Sequence, residues 1–182
     1  MPRIPLITQK ADLPDDRHAE FDAIVAVLHR VGGPFGILLR SPGLAQKVME
    51  AGAHVRLQST LSPVERELII IAVAREKDAG YEWASHVGTG RKAGLREEAI
   101  EAVRNRADVS GLEPDERDII TFVRQLLQRN RVEQGLFDAL LARKGERWLV
   151  ELAATVGQYQ YISAINNTFD LQAPADADQL PV

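Results

Sequence analysis

The sequence predicts an all-α fold. Three observations carry that prediction. Apolar residues recur at helical spacing along most of the chain, helix start and stop signals bracket those stretches, and there is neither a convincing period-2 strand nor an Asn-Gly or Asp-Gly hairpin turn. Residues 1–14 carry three prolines and read as an extended arm. From Asp15, "DDRHAEFDAIVAVLHRVG" places Phe21, Ile24, Val25, Leu28 and Val31 on one helical face, with His29 at its edge and Gly32-Gly33 as the stop. "SPGLAQKVMEAGAHVRLQS" follows, with Ser41 as N-cap and Pro42 in the first turn.

The clearest start is Ser62-Pro63-Val64-Glu65, a capping box with proline at the first helical position. Its helix runs almost wholly apolar from Leu68 to Ala74, the pattern of a helix buried on most faces. The next helix begins near Tyr81 and stops at Gly94, a C′ glycine. "REEAIEAV", "EPDERDIITFVRQLLQRN", "VEQGLFDALLAR" and the long, largely apolar "GERWLVELAATVGQYQYISAINNTF" complete a single helical bundle over residues 15–169, of roughly seven or eight helices. The remainder, 170–182, has two prolines and three aspartates and is expected to be a flexible tail.

Bulk composition narrows the functional classes. Hydrophobic residues make up 45% of the 182 and charged residues 26%, an ordinary globular balance. Net charge is −4 with no basic block, which argues against a nucleic-acid partner. The longest apolar run, "LIIIAVA", is too short to span a bilayer, and the N-terminal stretch has no signal-peptide core, so a cytoplasmic protein with no membrane partner is expected. There is no cysteine, so thiolate nucleophiles, disulfides and Cys-ligated metals are impossible. "GTG" at 88–90 falls inside a helix rather than after a strand, and no G-x-S-x-G elbow or HExxH pair occurs.

Chemistry concentrates in "AGYEWASH", Ala79 to His86. Glu82 and His86, four residues apart, share one helix face, and a carboxylate beside an imidazole prepares a general acid or base. Glu67 lies one helix earlier beside the apolar run, where desolvation would raise its pKa. In an antiparallel hairpin turning near residues 77–80, Glu67 and His86 would differ in depth by about 6 Å. Plainer readings stand beside these. Glu82 and His86 could form a solvated pair, Glu67 could serve the helix dipole, and Tyr81 and Trp83 could be packing residues. One His and one Glu a turn apart make no metal ligand set.

Taken as a whole, Glu65 to Ile100 resembles the carboxymuconolactone decarboxylase family, which includes the alkyl hydroperoxidase D-like proteins. The resemblance rests on the "REL" start with Glu67, the apolar helix, the "YEW..H" segment and the "AGL..E.I" exit. In that family's peroxidase branch a CxxCxxxH segment supplies two redox cysteines. Here those positions hold Ala79 and Glu82, so dithiol peroxidase chemistry cannot run; the decarboxylase branch, with its "YE…H" pattern, is the closer likeness. The resemblance implies an alkyl hydroperoxidase D-like helical bundle and a homo-oligomer, trimeric or hexameric. It also implies a lyase or isomerase that needs no cofactor and acts on a small carboxylated lactone or related aromatic-degradation intermediate. His86 would be the general acid/base, with Glu67 relaying its proton and Glu82 orienting the ring. Tyr81 and Trp83 would contact the substrate, and Arg75 or Arg91 would hold its carboxylate. The alternative is a non-catalytic binder in which Tyr81, Trp83, Tyr159 and Tyr161 line a small-molecule or protein interface.

Overall fold

A computed structural model describes residues 2–181. Its nine α-helices are α1 (His18–Leu28), α2 (Pro34–Leu38), α3 (Pro42–Leu57), α4 (Pro63–Glu76), α5 (Gly80–Ala93), α6 (Glu97–Arg104), α7 (Pro114–Arg129), α8 (Gln134–Lys144) and α9 (Glu146–Thr168). No strand occurs among the described residues. The number exceeds the sequence estimate because α2 is a five-residue helix opened by Pro34, too short to show a periodicity. Three further helices carry proline in the first turn, α3, α4 and α7, where the missing N–H is no loss.

The capping box at Ser62 forms as read. Ser62 Oγ accepts from the Glu65 N–H at 3.2 Å, and Glu65 Oε2 accepts from the Ser62 N–H at 2.8 Å. The helix it starts is the axis of the molecule. From Glu67 to Arg75 every residue of α4 is buried, because α5, α6, α7 and α9 pack around it. Gly94 ends α5 in the left-handed region at φ 98°, as a C′ glycine does. The end of α1 departs from expectation. The helix stops not at the glycine pair but at His29, itself left-handed at φ 63°, its N–H bonded to Val25 O.

Two apolar bodies result. The larger surrounds α4 and includes Trp83, Ile100, Ile119, Ile120, Leu152 and Val156. The smaller joins α1, α2 and α3 through Phe21, Ile24, Leu39 and Met49, with Ile162 of α9 packed on it. α9 is long enough, at 23 residues, to serve both.

Both terminal segments make contacts with the bundle. Ile7 is buried in the smaller core and its N–H bonds Gly36 O at 2.9 Å, and a 3₁₀ turn spans Lys10–Asp12. At the other end, Leu171 is buried and residues 170–181 return across α5 and α6. Asp178 pins this return. Its carboxylate accepts from Trp83 Nε1 (3.1 Å), Arg104 Nη1 (2.7 Å) and Arg91 Nη1 (2.8 Å). The hydrogen bond from Arg104 holds the acid far below the usual carboxylate range, and Trp83 and Arg91 add to this against a smaller cost of burial. Composition suggested mobility there because a polar, proline-containing segment has little to bury. Within that segment one aspartate meets two arginines and an indole.

Two outcomes follow. Ser62→Ala should lower unfolding stability by about 1 kcal/mol, read from chemical denaturation. Asp178→Asn should raise amide hydrogen exchange in residues 170–181 while leaving exchange in α4 slow; unchanged exchange in the tail would show that Asp178 is not what pins it.

Candidate functional site

The site is built on the α4–α5 hairpin. The connection is three residues, Lys77 to Ala79. Asp78 takes the left-handed conformation at φ 46°, and the Ala79 N–H reaches back to Ala74 O at 2.8 Å. Asp78 Oδ1 accepts from Arg75 Nη1 (2.7 Å) and Arg106 Nη2 (2.9 Å), which fixes the turn. A turn this short leaves little freedom in how α4 and α5 register. At the level of Glu67 the two helices approach closely because Gly90 is buried there; a Cβ on Gly90 would lie 3.5 Å from Glu67 Cβ and 3.2 Å from Leu95 Cδ2. The middle of "GTG" thus serves helix packing.

This register brings Glu67, Glu82 and His86 together. His86 Nδ1 lies 2.8 Å from Glu67 Oε2, and Nε2 lies 3.5 Å from Glu82 Oε2. Neither pair is solvated: Glu67 is 3% exposed and Glu82 4%. Each carboxylate has a second support. Arg66 Nε donates to Glu67 Oε1 at 3.2 Å, and Asn166 Nδ2 of α9 donates to Glu82 Oε1 at 2.8 Å. The ring of Tyr159, about two turns before Asn166 on the same face of α9, meets the imidazole edge-on at 5.3 Å between centroids.

The two carboxylates are tuned in opposite directions. For Glu67, burial favours the neutral acid, but hydrogen bonds and charge from His86 and Arg66 outweigh it, and its pKa falls below the ordinary value. For Glu82, burial dominates over the opposing effects of His86, Asn166 and Arg56, and its pKa rises. An ionised Glu67 is an acceptor only, so it fixes the hydrogen on Nδ1. Nε2 is then the nitrogen turned toward Glu82 and open space.

That space is a cavity of about 380 Å³ where the two apolar bodies meet. Its walls include Phe35, Met49, Tyr159 and Ile162, with Tyr81, Glu82 and His86 along one side and Arg30 and Arg56 among the remaining polar groups. Gly33, at φ 53°, makes room for Tyr81: a Cβ there would fall 2.5 Å from the Tyr81 hydroxyl oxygen. Burial of the Tyr81 and Tyr159 hydroxyls, with Glu82 nearby, raises both phenol pKa values.

The sequence-predicted residues divide accordingly. His86, Glu82 and Tyr81 line the cavity, and Glu67 stands directly behind His86. Trp83 does not face it; the indole is fully buried on the other side of α5, bonded to Asp178 with Arg104 over its ring. Arg75 and Arg91 are also elsewhere. Arg75 is committed to Asp78 and Pro181 O, and Arg91 to Glu97 and Asp178. Both belong to the turn and tail machinery because successive helical residues point in different directions: Trp83 and Arg91 are offset from the Glu82–His86 face. Tyr161 is partly exposed and is not among the cavity residues. Sequence reading missed Arg66, Asn166, Arg30, Arg56 and Gly33. Asn166 did leave a signal, as a polar residue inside a largely apolar helix. Among the described residues, no group of three or more His, Asp or Glu side chains converges as a metal ion would need.

The all-helical bundle has the alkyl hydroperoxidase D-like fold. The carboxymuconolactone decarboxylase family model matches residues 42–125, which hold the whole hairpin. Solved structures share the fold. A peroxidase-related protein from Ralstonia eutropha superposes with a TM-score of 0.75 at 19% identity, over 96% of this chain and 93% of that one. One from Silicibacter sp. gives 0.76 at 18%, over 99% and 96%. A cysteine-to-alanine variant of the debrominase Bmp8, in complex with 2,3,4-tribromopyrrole, gives 0.73 at 15%, over 94% and 91%. No curated protein matches the chain.

Burial raises the Glu82 pKa, so the folded chain holds that proton more tightly than the unfolded chain does. Ionised Glu82 therefore opposes folding at pH values above its ordinary 4.5, and the opposition fades as pH falls below that value. Glu82→Gln should accordingly raise the unfolding midpoint at pH 7 and lose that advantage in acid. A lower midpoint at pH 7 would mean that the charge is more than compensated by its partners.

Proposed function

We propose that this protein is a proton-transfer lyase or isomerase, acting without a cofactor on a small carboxylated lactone or related aromatic-degradation intermediate. One observation carries the reading: His86 Nδ1 is held on buried Glu67 at 2.8 Å, while Nε2 opens to the cavity beside Glu82 at 3.5 Å. In a decarboxylation the bond between ring carbon and carboxylate breaks, CO2 leaves, and the bonding pair stays behind as an enolate-like anion. A proton on Nε2 passes to that carbon, so the reaction consumes one proton. Glu82, whose burial favours its protonated form, stands where it can return a proton to Nε2. Glu67 keeps Nδ1 occupied and stabilises the ring when it is charged, so only Nε2 exchanges protons with substrate. Tyr81 and Tyr159 form aromatic walls suited to a flat ring.

The family-model match over the hairpin supports the lyase reading, and the brominated pyrrole bound to Bmp8 supports a small-ring occupant for this fold. The reading includes a cytoplasmic homo-oligomer, trimeric or hexameric. Well-exposed Leu57 and Val150 supply apolar surface for assembly, and light scattering coupled to size exclusion would give the number of copies. No helix among the described residues is long and apolar enough to cross a membrane.

The test is CO2 release from 4-carboxymuconolactone and related carboxylated lactones, with circular dichroism to confirm folding. Wild type should turn over at least one of them. Folded His86→Gln should lose about 100- to 10,000-fold in kcat. Turnover at the wild-type rate by His86→Gln would remove the assignment. Binding without turnover across the whole panel would favour the non-catalytic binder.

A further inference from the structure

The cavity holds two cations that the proton chemistry does not use. Arg56 lies in the last turn of α3, and Arg30 follows the left-handed end of α1; both line the cavity that His86 and Glu82 line. Most arginines of the chain are committed to a carboxylate, among them Arg66, Arg75, Arg91, Arg104 and Arg124. Among the described residues, the guanidinium groups of Arg30 and Arg56 have no ion pair and no hydrogen bond. The chain carries a net charge of −4, so an anion approaching it is repelled at long range and needs local positive charge to enter.

We infer that Arg56, together with Arg30, is the carboxylate anchor of this cavity, and that the ligand is a small flat ring bearing an anionic side arm that survives the reaction. Arg56 is positioned for this role through Arg66. That guanidinium donates from Nη1 to Arg56 O at 2.8 Å and from Nε to Glu67 Oε1 at 3.2 Å, tying the end of α3 to the Glu67–His86 pair. The anchor and the proton-transfer nitrogen therefore sit in one braced frame. Arg30 and Arg56 are both exposed residues, so they border the cavity on its solvent side, where an entering anion would meet them first.

The arm held here is the one that stays. A carboxylate paired with arginine gains its stabilisation as an anion and loses it on becoming neutral CO2, so clamping the departing group would raise the barrier. A clamp on a retained carboxylate holds equally in ground and transition states and orients the ring against Nε2. This placement of the departing group rests on the proton-transfer reading; the anchor itself is tested by binding alone.

The probes are furan-2-acetate, a flat five-membered ring with one carboxylate arm, and its neutral methyl ester, titrated calorimetrically. The carboxylate should bind wild type more tightly than the ester does. Arg56→Gln should weaken carboxylate binding by about tenfold and Arg30→Gln by a smaller factor, with ester binding unchanged in both. Arg131→Gln is the control, because Arg131 is exposed, has no ion pair among the described residues, does not line this cavity, and changes net charge equally; it should leave both affinities alone. Equal binding of carboxylate and ester, an equal loss in Arg131→Gln, or no binding of the carboxylate would each overturn the anchor. An anchor that passes this test beside a failed turnover panel would leave the binding inference intact and remove the lyase.

Discussion

Two carboxylates are buried against one imidazole, and much of the site exists to make that tolerable. A buried carboxylate without partners is costly. Glu67 is supported by His86 and Arg66, and Glu82 by His86 and Asn166, which recruits α9 into a hairpin otherwise made by α4 and α5. The result is asymmetric. Glu67 is held ionised by its two donors, while Glu82 is pushed toward the neutral acid by its depth. One imidazole between a carboxylate whose pKa is lowered and one whose pKa is raised has distinct ends, and the proposed proton transfer rests on that distinction.

The scaffold delivers this through burial and a short turn. α4 is apolar on nearly every face because four helices cover it, so it cannot rotate without exposing Ile69, Ile70 or Ile71. The three-residue connection and the Asp78–Arg75–Arg106 contacts then set the register of α5. On the far side of α5, the returning tail grips Trp83 through Asp178, so the helix that carries Glu82 and His86 is held from both faces. The cavity appears where the α4 body meets the smaller α1–α3 body, which is why its walls come from segments far apart in sequence.

What was legible in the sequence follows from the range of the interactions. The capping box at Ser62 and the glycine stop at Gly94 are local, and both stand as read. The Glu67, Glu82 and His86 grouping was legible because it depends only on helix periodicity and one short hairpin. The cations were misplaced for the opposite reason. Arg75 and Arg91 are near in sequence but point away from His86, whereas Arg56 and Arg30 arrive from α3 and the end of α1 through packing that no local pattern encodes. The same holds for Asn166, some eighty residues beyond its partner, and for the Asp178 latch, where a polar tail finds order in a few charged contacts. The short α2 lacked a period to read.

The proposed chemistry depends on Glu67 fixing the hydrogen on Nδ1, which leaves Nε2 to exchange protons with a ligand. Nitrogen-15 NMR of the histidine-labelled protein, with His86 assigned by its loss in His86→Gln, tests this directly. In the neutral ring the hydrogen should sit on Nδ1, with a downfield Nδ1–H resonance that shifts in Glu67→Gln. A neutral ring carrying its hydrogen on Nε2, unaffected by Glu67→Gln, would contradict it.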